Sequence, residues 1–222
     1  MTRQSTSTAE EHLRRADPVL AVIIDEAAGD GGGRPAVPPD AALAPDPDLP
    51  KDRYGVLVRA IISQNISGAA SRSIHQRLKD RFGGHEPTPR QVLDDDADAM
   101  RTATGLSHAK TAALRSLAEH ITTGRLDLEG LHELSDDEVV ARLDTVKGIG
   151  TWTADIFLMF HLNRPDVLPV GDLGLRRAVE KAYELAEPPT PAELERIAEP
   201  WRPYRTLACV YLWRTARTTP QV

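Results

Sequence analysis

A single cysteine, Cys209, stands in a chain of 222 residues. It excludes an intrachain disulfide framework, a cysteine-rich zinc site and an iron–sulfur cluster held by thiolates. No run approaches the roughly 18–20 apolar residues that a membrane span needs. Met1 to Glu11 lacks the apolar core of a secretory signal, so the expected compartment is the cytoplasm. No segment of five or more residues alternates as a half-buried strand does. The seven histidines show no H-E-x-x-H or other ligand spacing, and no catalytic metal is expected. G-x-S-x-G and Walker A motifs are missing as well.

Excess positive charge is also lacking. The formal net charge is −6, which on its own speaks against a nucleic-acid partner. Its distribution changes the reading. Residues 1–50 hold nine acids and four bases, whereas the other 172 residues sum to −1. Residues 201–222 carry Arg202, Arg205, Arg214 and Arg217 with no acid. Bulk charge neither supports nor excludes DNA.

What is present is helical patterning in a chain with 41% hydrophobic residues, enough for one large domain or two small ones. Residues 9–27 form an amphipathic pattern broken near Asp17-Pro18. Residues 29–50, with four glycines and six prolines, read as a surface loop or linker. Further helices are expected at about 52–63, 67–82, 88–93, 96–103, 107–123, 135–144, 151–161, 173–185, 190–199 and 203–217, punctuated by glycines and prolines. Short helices with short connections predict an all-α protein.

The most informative stretch is Leu143-Asp144-Thr145-Val146-Lys147-Gly148-Ile149-Gly150-Thr151-Trp152-Thr153-Ala154. A helix over about 136–144 stops at a turn with two glycines one residue apart, and a second helix runs to about 161. The amides of Gly148, Ile149 and Gly150, at the positive end of a helix, form a place for an anion. Uncharged amides that grip phosphate read no base sequence, which suits a near-neutral DNA-binding surface with Lys147 on the turn. A plain helix–helix turn accounts equally for the bare G-x-G pair. A dinucleotide fingerprint does not fit, since Thr153 stands where the third glycine belongs and no strand precedes it.

Context decides between them. The run V-K-G-I-G-T-W-T-A-D resembles the helix-hairpin-helix of the DNA glycosylase superfamily. Residues 166–177, D-V-L-P-V-G-D-L-G-L-R-R, resemble that superfamily's Gly/Pro-rich loop ending in an essential aspartate. The closer resemblance is to the 3-methyladenine DNA glycosylase II family. Ile61-Ile62-Ser63-Gln64-Asn65-Ile66-Ser67, Gly105-Leu106-Ser107 leading to Lys110, Gly124-Arg125-Leu126-Asp127-Leu128, and Trp201-Arg202-Pro203-Tyr204-Arg205 with Tyr211-Leu212-Trp213 carry it too. The resemblance covers about residues 12–217.

It implies a two-lobed, all-α helix-hairpin-helix fold. The N-terminal helix with its Gly/Pro-rich loop takes 1–50, and a lobe at 51–160 contains the hairpin at about 136–161. C-terminal helices at 161–222 complete the second lobe with the N-terminal helix. The N-terminal α/β domain of some relatives is not expected. The resemblance assigns Asp172 as the catalytic carboxylate, which stabilises positive charge on a deoxyribose as its base departs. Capping the helix that starts at Leu173 is the simpler use of such a residue. The resemblance also implies that Trp152 and Trp213 wall the base pocket, where indole faces attract a cationic lesion. Eight of ten aromatics follow position 150, and Phe157, Phe160, Tyr211 and Trp201 read as core.

Gln64-Asn65 falls where the resemblance places the duplex wedge, although an Asn at such a turn is also ordinary turn chemistry. Trp152 occupies the place of the lysine nucleophile in strand-cutting relatives, so no Schiff base is expected there. The resemblance also implies a structural sodium or potassium ion at the hairpin, held by the backbone carbonyls of Asp144, Val146 and Ile149. The implied activity is a monofunctional, monomeric glycosylase. It flips alkylated purines of the 3-methyladenine and 7-methylguanine type out of double-stranded DNA and leaves an abasic site. Two rivals stay open: a superfamily glycosylase for deaminated or mismatched bases, and a non-catalytic hairpin protein that only binds DNA.

Overall fold

A computed structural model describes residues 3–29 and 52–218. The Gly/Pro-rich stretch expected at 29–50 lies, apart from Gly29, outside them. The chain divides into two compact units, Met1–Pro45 with Leu158–Val222 and Asp46–Phe157. Among the described residues every regular element is a helix, and no helix is long and apolar enough to cross a membrane.

The first unit contains α1 (Arg3–Ala16), α2 (Pro18–Gly29), α10 (Leu173–Ala182), α11 (Pro191–Ala198), a short 3₁₀ turn at Glu199–Trp201, and α12 (Arg205–Thr218). The break expected near Asp17-Pro18 is real, and its cause is local. Proline at the first position of α2 has no N–H to lose. The Asp17 side chain accepts from the amides of Val19 and Leu20. Its other oxygen accepts from the Tyr183 hydroxyl and, at 2.8 Å, from the Trp201 indole N–H. One buried carboxylate thus caps α2 and ties it to segments far along the chain, and burial together with that bond pushes the Tyr183 hydroxyl pKa up. Around it α12 packs on α2 and α10, and α1 packs on α2 and the 3₁₀ turn. Leu13, Leu20, Ile24, Leu175, Val179, Trp201, Val210 and Tyr211 fill the core. Each aliphatic side chain buried there contributes about 1.5–3 kcal/mol.

The second unit runs α3 (Arg53–Ser63), α4 (Gly68–Arg81), α5 (Pro89–Asp94), α6 (Ala97–Thr104), α7 (His108–Thr122), a 3₁₀ turn at Gly130–Glu133, and α8 (Asp136–Asp144), and continues into α9 (Thr151–Phe160). The boundary with the first unit falls inside α9, after Phe157. Here α5 packs on α7, α4 on α3 and α6, and α3 on α7. Leu57, Val58, Ile61, Leu78, Met100, Leu114, Leu117, Val139 and Leu143 are buried between them.

Helix starts follow side-chain capping. Asp52, Ser67, Thr88, Asp96, Ser107, Ser135, Asp172 and Thr190 each accept a first-turn amide. Ser135 and Glu138 close a full capping box at α8, whose first turn carries three acids at the positive end of the helix dipole. That start fixes the helix leading into the two-glycine turn.

Candidate active site and nucleic-acid interface

In the turn between α8 and α9, Val146 and Ile149 are buried while Lys147, Gly148 and Gly150 are exposed. Apolar residues anchor the turn and leave its polar backbone outside. The two glycines do different work. Gly148 has φ +87, and a Cβ on it would lie 2.6 Å from Cβ of Ala113 in α7. Conformation and close packing both demand glycine there. Gly150 has nothing within 4 Å of where its Cβ would stand, so nothing inside the protein requires a glycine at that place.

The backbone corrects the expectation of three free amides. The Ile149 N–H donates to the Val146 carbonyl at 3.0 Å, and the Lys147 N–H donates to the Ser116 hydroxyl at 3.1 Å. Of the three, the amides of Gly148 and Gly150 have no acceptor among the described residues. Ile149 contributes its buried side chain to the anchor, and Lys147 its exposed side chain to the rim.

The residues expected together as a wedge are divided by the structure. Gln64, after the last turn of α3, donates its carboxamide N–H groups to the Gly148 carbonyl and the Thr153 hydroxyl, each at 2.9 Å. It is a strut on the hairpin, a contact spanning 84 residues of chain, and not a projecting side chain. Asn65 stands exposed at the apex with φ +55, in the left-handed region that Asn tolerates. Ile66 beside it is also exposed. Lys110, whose ammonium bonds the Ile62 carbonyl at 2.7 Å, supports this turn from α7, and burial lowers its pKa. Trp152 is half-buried in the first turn of α9.

In the first unit Asp172 is the N-cap of α10. Its Oδ1 accepts the Leu175 amide and, at 3.0 Å, the indole N–H of Trp213 from α12. The capping reading of Asp172 is therefore correct and leaves the chemical one standing, since the same bonds fix a carboxylate at a positive helix end. Trp213 is 7% exposed and lies tilted against Phe160, centroids 6.2 Å apart. Trp201, Tyr211, Phe157 and Phe160 are buried.

Sequence reading passed over Gly174. A Cβ on it would sit 3.1 Å from Asp172 Oδ1 and 3.9 Å from Trp213 Nε1. The clue was a glycine inside the first turn of a helix, against propensity. Among the described residues no three His, Cys, Asp or Glu side chains gather as a metal site.

The comparisons with known proteins agree on one family. Residues 58–203 match the model of the HhH-GPD superfamily of base excision DNA repair proteins. The chain belongs to this superfamily. It is 37% identical over 169 residues to DNA-3-methyladenine glycosylase 1 of Schizosaccharomyces pombe, covering 75% of this chain and 74% of that protein. The structure of the S. pombe 3-methyladenine DNA glycosylase in complex with abasic DNA superposes with a TM-score of 0.82 at 32% identity, over 97% of this chain and 99% of that one. A DNA-3-methyladenine glycosidase from Bacillus halodurans gives 0.65 at 38% identity, over 75% and 76%.

Proposed function

We propose that the protein is a monofunctional DNA glycosylase that removes alkylated purines, of the 3-methyladenine and 7-methylguanine type, from double-stranded DNA. The observation that carries the reading is the Asp172 carboxylate, fixed by the Leu175 amide and the Trp213 indole. In the reaction the bond between C1′ and the purine nitrogen breaks, and its electron pair leaves with the base. An N-alkylated purine is cationic, so it departs neutral and needs no strong acid to protonate it. The sugar becomes an oxocarbenium ion, opposed by the fixed carboxylate at no cost of reorganisation. Water then adds to C1′, loses a proton and leaves an abasic site.

The target base first leaves the duplex, at a few kcal/mol. Asn65, with the apolar side chain of Ile66 beside it, suits the wedge that fills the gap. The amides of Gly148 and Gly150 with Lys147 hold the phosphate backbone, and the indole of Trp152 offers a face to the extruded cationic base.

The hairpin also fits a sodium or potassium ion. The carbonyls of Asp144 and Ile149 receive no amide among the described residues, and that of Val146 receives one, from Ile149. Such an ion would add positive charge to the hairpin in a structural role.

The test is release of free base from duplexes carrying methylated, deaminated or oxidised purines. Release from the methylated duplex alone supports the proposal. Release mainly from deaminated or mismatched substrate replaces the lesion class, and binding without release leaves only a DNA-binding hairpin protein.

A further inference from the structure

The loop ending at Asp172 is gripped by one helix at two places. At its start, the first turn of α12 takes up the backbone of residues 164–167. The Thr206 amide donates to the Pro165 carbonyl at 3.1 Å. The Thr206 hydroxyl donates to the Arg164 carbonyl at 2.7 Å and accepts from the Val167 amide at 3.1 Å. Asp166 sits inside a guanidinium fork. Arg205 Nε donates to Oδ1 at 2.7 Å, and Nη2 donates to Oδ2 at 3.1 Å and to the Asp166 carbonyl at 2.6 Å. Arg202 Nη1 adds a bond to Oδ2 at 2.7 Å. At the loop's end, Trp213 of the same helix holds Asp172 at 3.0 Å. Between the grips the loop closes on itself, with the Val170 amide on the Leu168 carbonyl and the Asp172 amide on the Pro169 carbonyl.

We propose that Asp166 and Arg205 are positioning residues for Asp172. Eight residues separate Arg205 from Trp213, about 12 Å of rigid helix. The distance between the two grips is thereby fixed by α12, and the carboxylate inherits its place from the rod rather than from the loop. The side chains of Arg205 and Asp166 are only 16% and 23% exposed, so the fork is partly shielded from water and from salt. A lysine has the charge but not the planar fork that reaches the carboxylate and the carbonyl together. The inference rests on the reading of Asp172 as the carboxylate that faces the reacting sugar.

The experiment measures kcat and KM for base release from a methylated duplex with Arg205→Lys, Asp166→Asn and the pair combined, alongside thermal unfolding of each. Thr206→Val is the further variant should one of these fail to fold. Misplacing a reacting group by about 1 Å costs up to about 100-fold. The expected result is a fall in kcat of about 10- to 100-fold with KM within about twofold, and a double variant no worse than the weaker single. Unchanged kcat in folded variants, a change confined to KM, or a loss that follows the unfolded fraction alone overturns the proposal. Asp172→Asn, run in parallel, separates the two ideas. If it is inactive while the fork variants keep full kcat, the positioning role fails and the proposed function stands. If it is fully active, both fall.

Discussion

Trp213 donates its indole N–H to Oδ1 of Asp172 at 3.0 Å, joining residues 41 apart in the chain. The resemblance implies this ring as a wall of the base pocket; the structure shows its N–H holding the carboxylate. Trp213→Phe keeps an aromatic ring beside Phe160 and removes the donor. The expected outcome is a loss of roughly tenfold in kcat, the worth of about one hydrogen bond to a charged group. Unfolding by urea should show a cost of about 1–2 kcal/mol. Wild-type kcat in a folded Phe variant would remove the indole bond from the mechanism.

Gly174 leaves room for that bond. Ala at this place favours the helix by about 0.5–1 kcal/mol in propensity but puts its Cβ 3.1 Å from Asp172 Oδ1. Gly174→Ala should therefore be as stable as wild type, or slightly more so, and slower in base release by about tenfold. A variant both stable and fully active would show that the carboxylate has slack.

The two hairpin glycines should part company under the same substitution. Gly148→Ala forces φ +87 on an alanine and drives its Cβ to 2.6 Å from Ala113, so a loss of about 2–4 kcal/mol is expected in denaturant unfolding. Gly150→Ala meets nothing and should fold normally, yet bind duplex DNA several-fold more weakly, because the new methyl stands where the proposed function puts a phosphate. Equal stability in the two variants would contradict the packing argument. Unchanged DNA affinity in Gly150→Ala would contradict the phosphate one.

Asp155 is buried in α9, and burial raises its carboxyl from 3.8 to about 7. The folded chain thus holds this proton more tightly than the unfolded one. The stabilisation is fully present below about pH 4 and is lost as pH rises through about 7. Between pH 5 and pH 8 it amounts to about 2–3 kcal/mol. Asp155→Asn should flatten that part of the stability profile and unfold at higher denaturant than wild type at pH 8. A profile with the same slope in both proteins would place the titration elsewhere.

The helices were legible because their signals are local. Asp17-Pro18 announces a stop and a restart, Ser135 with Glu138 announces a capping box, and Gly148 announces a turn. The same locality explains what sequence reading missed. Gln64 falls where the resemblance places the wedge, yet its carboxamide lies on the Gly148 carbonyl, and no pattern within a few residues encodes that contact. Asp166 and Arg205 lie 39 residues apart, and their fork exists only once the loop is laid on α12. Ile149 was read from the G-x-G spacing as a free amide. The turn closes on Val146 instead, since a buried side chain there draws its own backbone inward.

Asp172→Asn tests the centre of the account most directly. The variant keeps the cap on the Leu175 amide through its side-chain oxygen and loses the negative charge. On a methylated duplex, free-base release should become undetectable while binding to abasic DNA stays within a few-fold of wild type. Release at the wild-type rate would contradict the account.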